Sequence, residues 1–300
     1  MRILLLGANG QAGTECRRSL MGLGDLVCTT REGRLSDGQP CEQADFDVPQ
    51  SLRDLVLKIR PDVVVNAAAY TAVDRAEEQR DMAFRVNAEA PKVIAHACRE
   101  AGAYLIHYST DYVFDGQGNR PYLPDDPTAP LGTYGESKLA GEEAIRASEC
   151  DYAILRTAWV YATHGKNFLL TMLRLAGERD ELRVVGDQIG TPTPAALIAD
   201  VTARIVASQN RPSGTWHLTP HEQTSWHGFA TAIMEGACSR GFLAKRPAVT
   251  AITTAEFATP ARRPAWSVLD NGSLERDWGL TLPDWQTGLD DVLDALAATA

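Results

Sequence analysis

Apolar residues in the first half of the chain come in short, nearly continuous runs separated by longer stretches of mixed character. The runs at 2–6, 25–30, 62–66, 104–109 and 152–157 are strand-sized, and the segments 11–21, 51–59, 81–100 and 134–147 between them read as helices. Strands buried on both faces and alternating with helices predict a parallel, doubly wound α/β sheet, with ligands beyond the strands' carboxyl ends. After residue 157 the alternation weakens, and turn-rich loops at 186–194 and 259–265 appear between helical stretches. This predicts a dinucleotide-type domain over 1–157 and a smaller, partly interleaved substrate-binding region over 158–300, whose Ala-rich tail 293–300 reads as a fraying helix end.

With 44% hydrophobic and 23% charged residues over 300 positions, the composition is globular and excludes a disordered or fibrous chain. The longest apolar runs, Ile3-Leu4-Leu5-Leu6 and Val63-Val64-Val65, are far too short for a membrane helix. A net charge of −10 repels phosphate backbones, and Arg262-Arg263 is the densest basic spot, so no nucleic-acid partner is expected. A small anionic ligand is compatible with that charge. The six cysteines are scattered without a C-x-x-C pair, and Met1-Arg2 enters a strand directly with no room for a secretory signal. Reduced thiols and a cytoplasmic location are expected.

The first strand runs into Gly7-Ala8-Asn9-Gly10-Gln11-Ala12-Gly13 and then a helix, the context in which a glycine-rich turn holds a dinucleotide. Gly7 permits the tight turn, Gly10 lets backbone amides approach a pyrophosphate, and Gly13 lets the helix pack against the strand, its N-terminus favouring the anion. A strand-to-helix turn without a ligand is the plainer reading. The setting implies a Rossmann-type fold, and the G-x-x-G-x-x-G spacing resembles the extended short-chain dehydrogenases. Where an Asp or Glu would hold the ribose diol of NAD, the chain has Thr29-Thr30-Arg31. Arg31 suits a 2′-phosphate, so NADPH is expected, with NADH also allowed; a solvated loop arginine is the alternative. By the resemblance, Asp45-Phe46-Asp47 lies near the adenine, and the run Ala67-Ala68-Ala69 passes beside the cofactor. Close helix-to-sheet packing explains that alanine run equally well.

Tyr134-Gly135-Glu136-Ser137-Lys138 opens a helix, so Tyr134 and Lys138 share one face a turn apart. An ammonium beside a phenol favours the phenolate and eases proton exchange with a substrate oxygen. Y-x-x-x-K is common as a surface pattern, and position gives this one its weight. It follows the fourth strand, which ends in Tyr108-Ser109-Thr110-Asp111-Tyr112 and brings hydroxyls to the sheet's carboxyl edge, as donors to a carbonyl or as strand caps.

These residues, and above all Ser109-Thr110-Asp111-Tyr112-Val113-Phe114-Asp115-Gly116, resemble the dTDP-4-dehydrorhamnose reductase family, which completes dTDP-L-rhamnose synthesis. The resemblance covers essentially the whole chain, through Arg156-Thr157-Ala158-Trp159, Asp187-Gln188-Ile189-Gly190-Thr191-Pro192-Thr193 and Arg263-Pro264. It implies Thr110, Tyr134 and Lys138 as catalytic residues, with Tyr134 as acid, Lys138 lowering its pKa and Thr110 bonding the keto oxygen. Gly7, Asn9, Gly10, Gln11, Ala12, Gly13, Arg31, Asp45, Phe46, Ala67, Ala68, Ala69, Tyr134 and Lys138 are the expected coenzyme residues. Thr71, Val73, Thr110, Asp111, Trp159 and Arg263 are expected to face the nucleotide sugar; Trp159 as core and Arg263 as plain surface are the alternatives. Some members hold magnesium at a dimer contact, but here Ala196 replaces one acidic ligand beside the retained Glu15, so no metal is expected and a homodimer stays open. His217, His221 and His227 lack a metal-ligand spacing. A reductase of another nucleotide-linked 4-keto sugar and a non-catalytic NADP-binding subunit are the competing readings.

Overall fold

The computed structural model describes residues 1–298. In chain order the elements begin with β1 (Arg2–Leu6), α1 (Gln11–Leu20), β2 (Asp25–Thr30), β3 (Glu42–Gln43), α2 (Pro49–Ile59) and β4 (Val63–Asn66). Next come α3 (Val73–Glu78), α4 (Arg80–Phe84), a π-helical turn (Arg85–Glu89), α5 (Ala90–Ala101), β5 (Tyr104–Thr110), α6 (Thr133–Ala147) and β6 (Tyr152–Thr157). The second half holds β7 (Val160–Tyr161), α7 (Phe168–Glu178), β8 (Glu181–Val185), β9 (Ile189–Gly190), β10 (Thr193–Pro194), α8 (Ala195–Ala207) and β11 (Gly214–His217). It closes with β12 (Thr224–Ser225), α9 (Trp226–Ser239), β13 (Ala248–Ile252), α10 (Gly272–Trp278) and α11 (Trp285–Ala297). The last two residues of the expected fraying tail, Thr299 and Ala300, lie outside the described residues.

Seven strands form one parallel sheet in the order β11-β6-β5-β4-β1-β2-β3. The order reverses between β1 and β4, so a crevice opens there at the carboxyl edge. The period-2 alternation of each strand divides the core in two. Ile3 and Leu5 of β1 meet α1, α8 and Leu274 of α10 on one face. Leu4 and Leu6 meet α2, α5 and Ile145 of α6 on the other. A third core joins α7, α9 and α11 to the β8–β13 pair outside the main sheet.

Three expectations need correction. The helix expected over 81–100 is continuous but switches from α-helical to π-helical bonding at the turn over 85–89, where buried Asn87 uses its side chain to bond the Tyr70 backbone in both directions, at 2.9 and 3.0 Å. The loop at 186–194 contains two short strands, β9 and β10, each paired with a segment distant in sequence. The five expected strands gain two at the edges of the sheet, the two-residue β3 beside β2 and, from the second half, β11 beside β6, with α8 packed on α1. The four residues of β11 are too short a run and too mixed in character to carry a strand signal of their own.

Candidate active site

Gly7 adopts φ +80°, and a Cβ there would lie 2.8 Å from the Ala68 nitrogen, so only glycine lets the chain after β4 cross the turn after β1. The Ala67-Ala68 backbone therefore lies against the glycine turn itself. A Cβ on Gly13 would run into the Gly7 carbonyl, which makes Gly13 a packing residue that seats α1 on β1. Gly10 differs, because a Cβ there would meet the Gly7 oxygen at 3.4 Å and the Ala67 oxygen at 3.9 Å, ordinary contacts rather than a clash. Gly10 caps α1 without a side-chain hydrogen bond, and the first turn carries no acidic residue. Free amides on a helix N-terminus, with room in front of them, fit a pyrophosphate.

The side chains around that turn are occupied differently from the expectation. Asn9 donates to the Arg34 carbonyl and accepts from the Ser36 amide, holding the loop after β2. Gln11 accepts from Asn167 at 2.9 Å. Phe46 packs into the core beside α2. Arg31 stands just past β2 with its side chain 65% exposed, paired with Asp47 and, at 3.8 Å, with Asp45. Glu15 is paired with His164 and Arg18.

Local contacts fix the Tyr134–Lys138 segment, with Glu136 paired to Arg80 of α4. Glu77 of α3 accepts from both the amide and the hydroxyl of Thr133, fixing the start of α6. A Cβ on Gly135 would strike the Tyr112 carbonyl, so glycine lets α6 press against the turn after β5. Ser137 donates to the Tyr134 carbonyl and accepts from Asn87. Tyr134 thereby stands beside Tyr112, ring edge to face at 5.5 Å, with Thr110 at the end of β5. Lys138 is 2% exposed, and its ammonium donates to the Tyr108 carbonyl at 2.6 Å.

The electrostatics depart from the simple expectation that Lys138 depresses the Tyr134 pKa. Burial pushes the phenol up to about 12, with the Thr110 hydroxyl pulling down and Asp111 pushing further up. Lys138 is lowered to about 8 by burial, against the pull of Glu142 one turn along α6. The phenol is therefore protonated at neutral pH, the state that an acid needs. Thr110 donates to Asp111 at 2.9 Å and accepts from the Tyr112 amide, while the Ser267 hydroxyl also lies close enough to help hold the buried carboxylate. Burial raises the Asp111 pKa to about 6. Beneath these groups Glu142 and Arg156 form a fully buried bidentate pair at 2.9 and 2.7 Å.

Trp159 follows β6 in the left-handed region at φ 47°, with its ring over Gly190 and stacked on Trp226 at 3.6 Å. A strained backbone that presents a two-ring wall at the strand ends suits a binding surface more than a core. The sequence did not single out Trp226, since no short spacing links it to Trp159; the fold brings them together through the β9–β12 pair. Arg263 forms a bidentate pair with Asp74, both bonds at 2.9 Å, tying the 259–265 loop to α3 beside Thr71 and Val73. His217 lies under Phe114, His221 pairs with Glu275, and His227 faces the Val249 carbonyl, so these three histidines do not converge.

A classically wound parallel sheet, a glycine turn with free helix amides at its switch point, and a half-buried Tyr134 one turn from the buried Lys138 and beside Thr110 define a dinucleotide-dependent reductase of the extended short-chain type. Residues 1–298 match the family model described as "RmlD substrate binding domain". The dTDP-4-dehydrorhamnose reductases of Burkholderia thailandensis and Shigella flexneri are similar at 47% and 45% identity. They cover 95% and 100% of this chain, and the chain covers 96% and 99% of theirs. The crystal structure of the Bacillus anthracis dTDP-4-dehydrorhamnose reductase in complex with NADP superposes with a TM-score of 0.89 at 33% identity, covering 98% of this chain and 99% of that one. The chain belongs to the dTDP-4-dehydrorhamnose reductase family and is an oxidoreductase. Among the described residues no helix is long and apolar enough to cross a membrane.

Proposed function

We propose that this chain reduces the C4 keto group of dTDP-4-dehydro-L-rhamnose to the hydroxyl of dTDP-L-rhamnose with NADPH, in the cytoplasm. The observation that carries the reading is the convergence of Thr110, Tyr134 and Lys138 at the carboxyl edge beside the glycine turn. Gly7, Gly10 and Gly13 with Ala67, Ala68 and Ala69 would hold the coenzyme, with Arg31 on the 2′-phosphate once it exchanges Asp47 for that anion. The chemistry the bound coenzyme supplies is the hydride.

Tyr134 gives its phenolic proton to the sugar oxygen. Lys138, whose ammonium donates to the Tyr108 carbonyl and forms no ion pair among the described residues, stabilises the phenolate left behind. Thr110 donates its hydrogen to Asp111 in this structure, so the bond expected from Thr110 to the keto oxygen requires that hydrogen to turn from Asp111 to the sugar. Trp159 and Trp226 form an apolar wall for the sugar or base, and Arg263 holds the diphosphate side in a loop fixed by Asp74. Residues 1–157 carry the coenzyme and the acid, and the later segments carry most of the substrate wall.

Coenzyme choice is tested with Arg31→Ala. The expected result is about a tenfold or greater fall in kcat/KM for NADPH with little change for NADH. An equal fall for both coenzymes would remove Arg31 from the 2′-phosphate site.

A further inference from the structure

Behind the Tyr134–Lys138 face lies a buried polar chain that the reduction step leaves unused. Asn66 at the end of β4 is in register with His107 of β5, and His107 faces Lys138 of α6. Their exposures are 1%, 1% and 2%. The Ala68 amide donates to Asn66 Oδ1 at 3.2 Å, so the amide oxygen of Asn66 is committed. Its Nδ2 group must therefore donate to His107 Nδ1, 3.0 Å away. A neutral imidazole carries one proton, and a ring whose Nδ1 accepts carries that proton on Nε2. Nε2 lies 3.4 Å from Lys138 Nζ.

Burial and the Lys138 charge hold His107 well below its ordinary pKa, so the ring stays neutral. An N–H pointing at an ammonium is a repulsive contact, whereas the same N–H pointing at a neutral amine is a hydrogen bond. The other titratable groups around Lys138 are Tyr134 and Glu142 on α6, with Arg156 of β6 holding Glu142, and Asp111 acting through Thr110. The Tyr108 hydroxyl points to the opposite face, toward Cys16 and Thr202.

We propose that His107 is a positioning residue, fixed by Asn66 as the Nε2-protonated tautomer so that it turns an N–H toward Lys138 and favours the loss of a lysine proton. When the Tyr134 phenolate regains its hydrogen, an N–H bond of Lys138 breaks and the phenolic O–H forms. The resulting neutral amine then accepts from His107 until solvent recharges it. This inference rests on the roles given above to Tyr134 and Lys138.

Two measurements test it. Nitrogen-15 NMR of the imidazoles in the wild-type chain, without coenzyme or sugar, should show His107 neutral with a bare Nδ1 and a protonated Nε2 from pH 6 to 9; a protonated Nδ1 overturns the proposal. In His107→Gln the amide can present its oxygen to Lys138. The basic limb of the kcat/KM profile should then move up by about one pH unit, a tenfold change in proton affinity, with KM for NADPH within about twofold of wild type. A limb that stays in place makes His107 merely structural. The tautomer is read without turnover, so a wrong substrate assignment leaves that result standing.

Discussion

At the scale of single residues, the site separates groups by the proton they hold. Tyr134, pushed up to about 12, is an acid at any physiological pH, and Lys138 at about 8 is the group that titrates within the working range. Replacing Tyr134 by Phe should lower kcat by about 10²- to 10⁴-fold while NADPH binding, followed by fluorescence titration, stays within a few fold. Asp111 supplies a stability test. Its folded pKa, about 6, lies above its ordinary 3.8, so the folded state binds more protons between those values and loses stability as pH rises through that window. Asp111→Asn keeps an acceptor for Thr110 and removes the buried charge. Its stability relative to wild type, from denaturant melts, should improve on going from pH 4 to pH 7.5 by on the order of 2–3 kcal/mol. A difference independent of pH would show that the carboxylate carries no such penalty.

At the scale of elements, the two helix-start glycines make different predictions. Gly13→Ala drives a methyl into the Gly7 carbonyl and should disrupt the β1–α1 junction and lower Tm sharply. Gly10→Ala meets the Gly7 oxygen only at 3.4 Å, so Tm should hold within a few degrees while the Kd for NADPH rises about tenfold or more. Equal losses of stability in both variants would contradict the division of labour. The bounds of β1, β2 and β6 were legible from the short apolar runs at their centres, Ile3 to Leu6, Leu26 to Cys28 and Ala153 to Leu155, although β2 is only half-buried and β6 ends in the polar Arg156 and Thr157. The π turn was not legible, since Asn87 acts through a contact with Tyr70 that no local pattern records. Trp226 and His107 were missed for the same reason: their partners, Trp159 and Lys138, are set by tertiary contacts.

At the scale of the whole molecule, the first 157 residues lack β11 and α8, which cover one edge and one face of the sheet. A 1–157 fragment is expected to show no cooperative thermal transition, and a sharp two-state melt would contradict that. The buried Glu142–Arg156 pair lies at the junction of α6, β6 and the loop carbonyl of Pro124. Glu142→Ala leaves Arg156 buried and unpaired and should destabilise the protein by about 3–5 kcal/mol in denaturant melts. The substrate itself was legible only through the resemblance, because Trp159, Trp226, Arg263 and Asp111 come from four separate stretches of sequence with no common spacing. The most direct measurement is the fall in NADPH absorbance when purified wild-type protein meets dTDP-4-dehydro-L-rhamnose. Rapid, sugar-dependent oxidation yielding dTDP-L-rhamnose is the predicted result. No oxidation with that sugar, alongside turnover of a different nucleotide-linked 4-keto sugar, would contradict it.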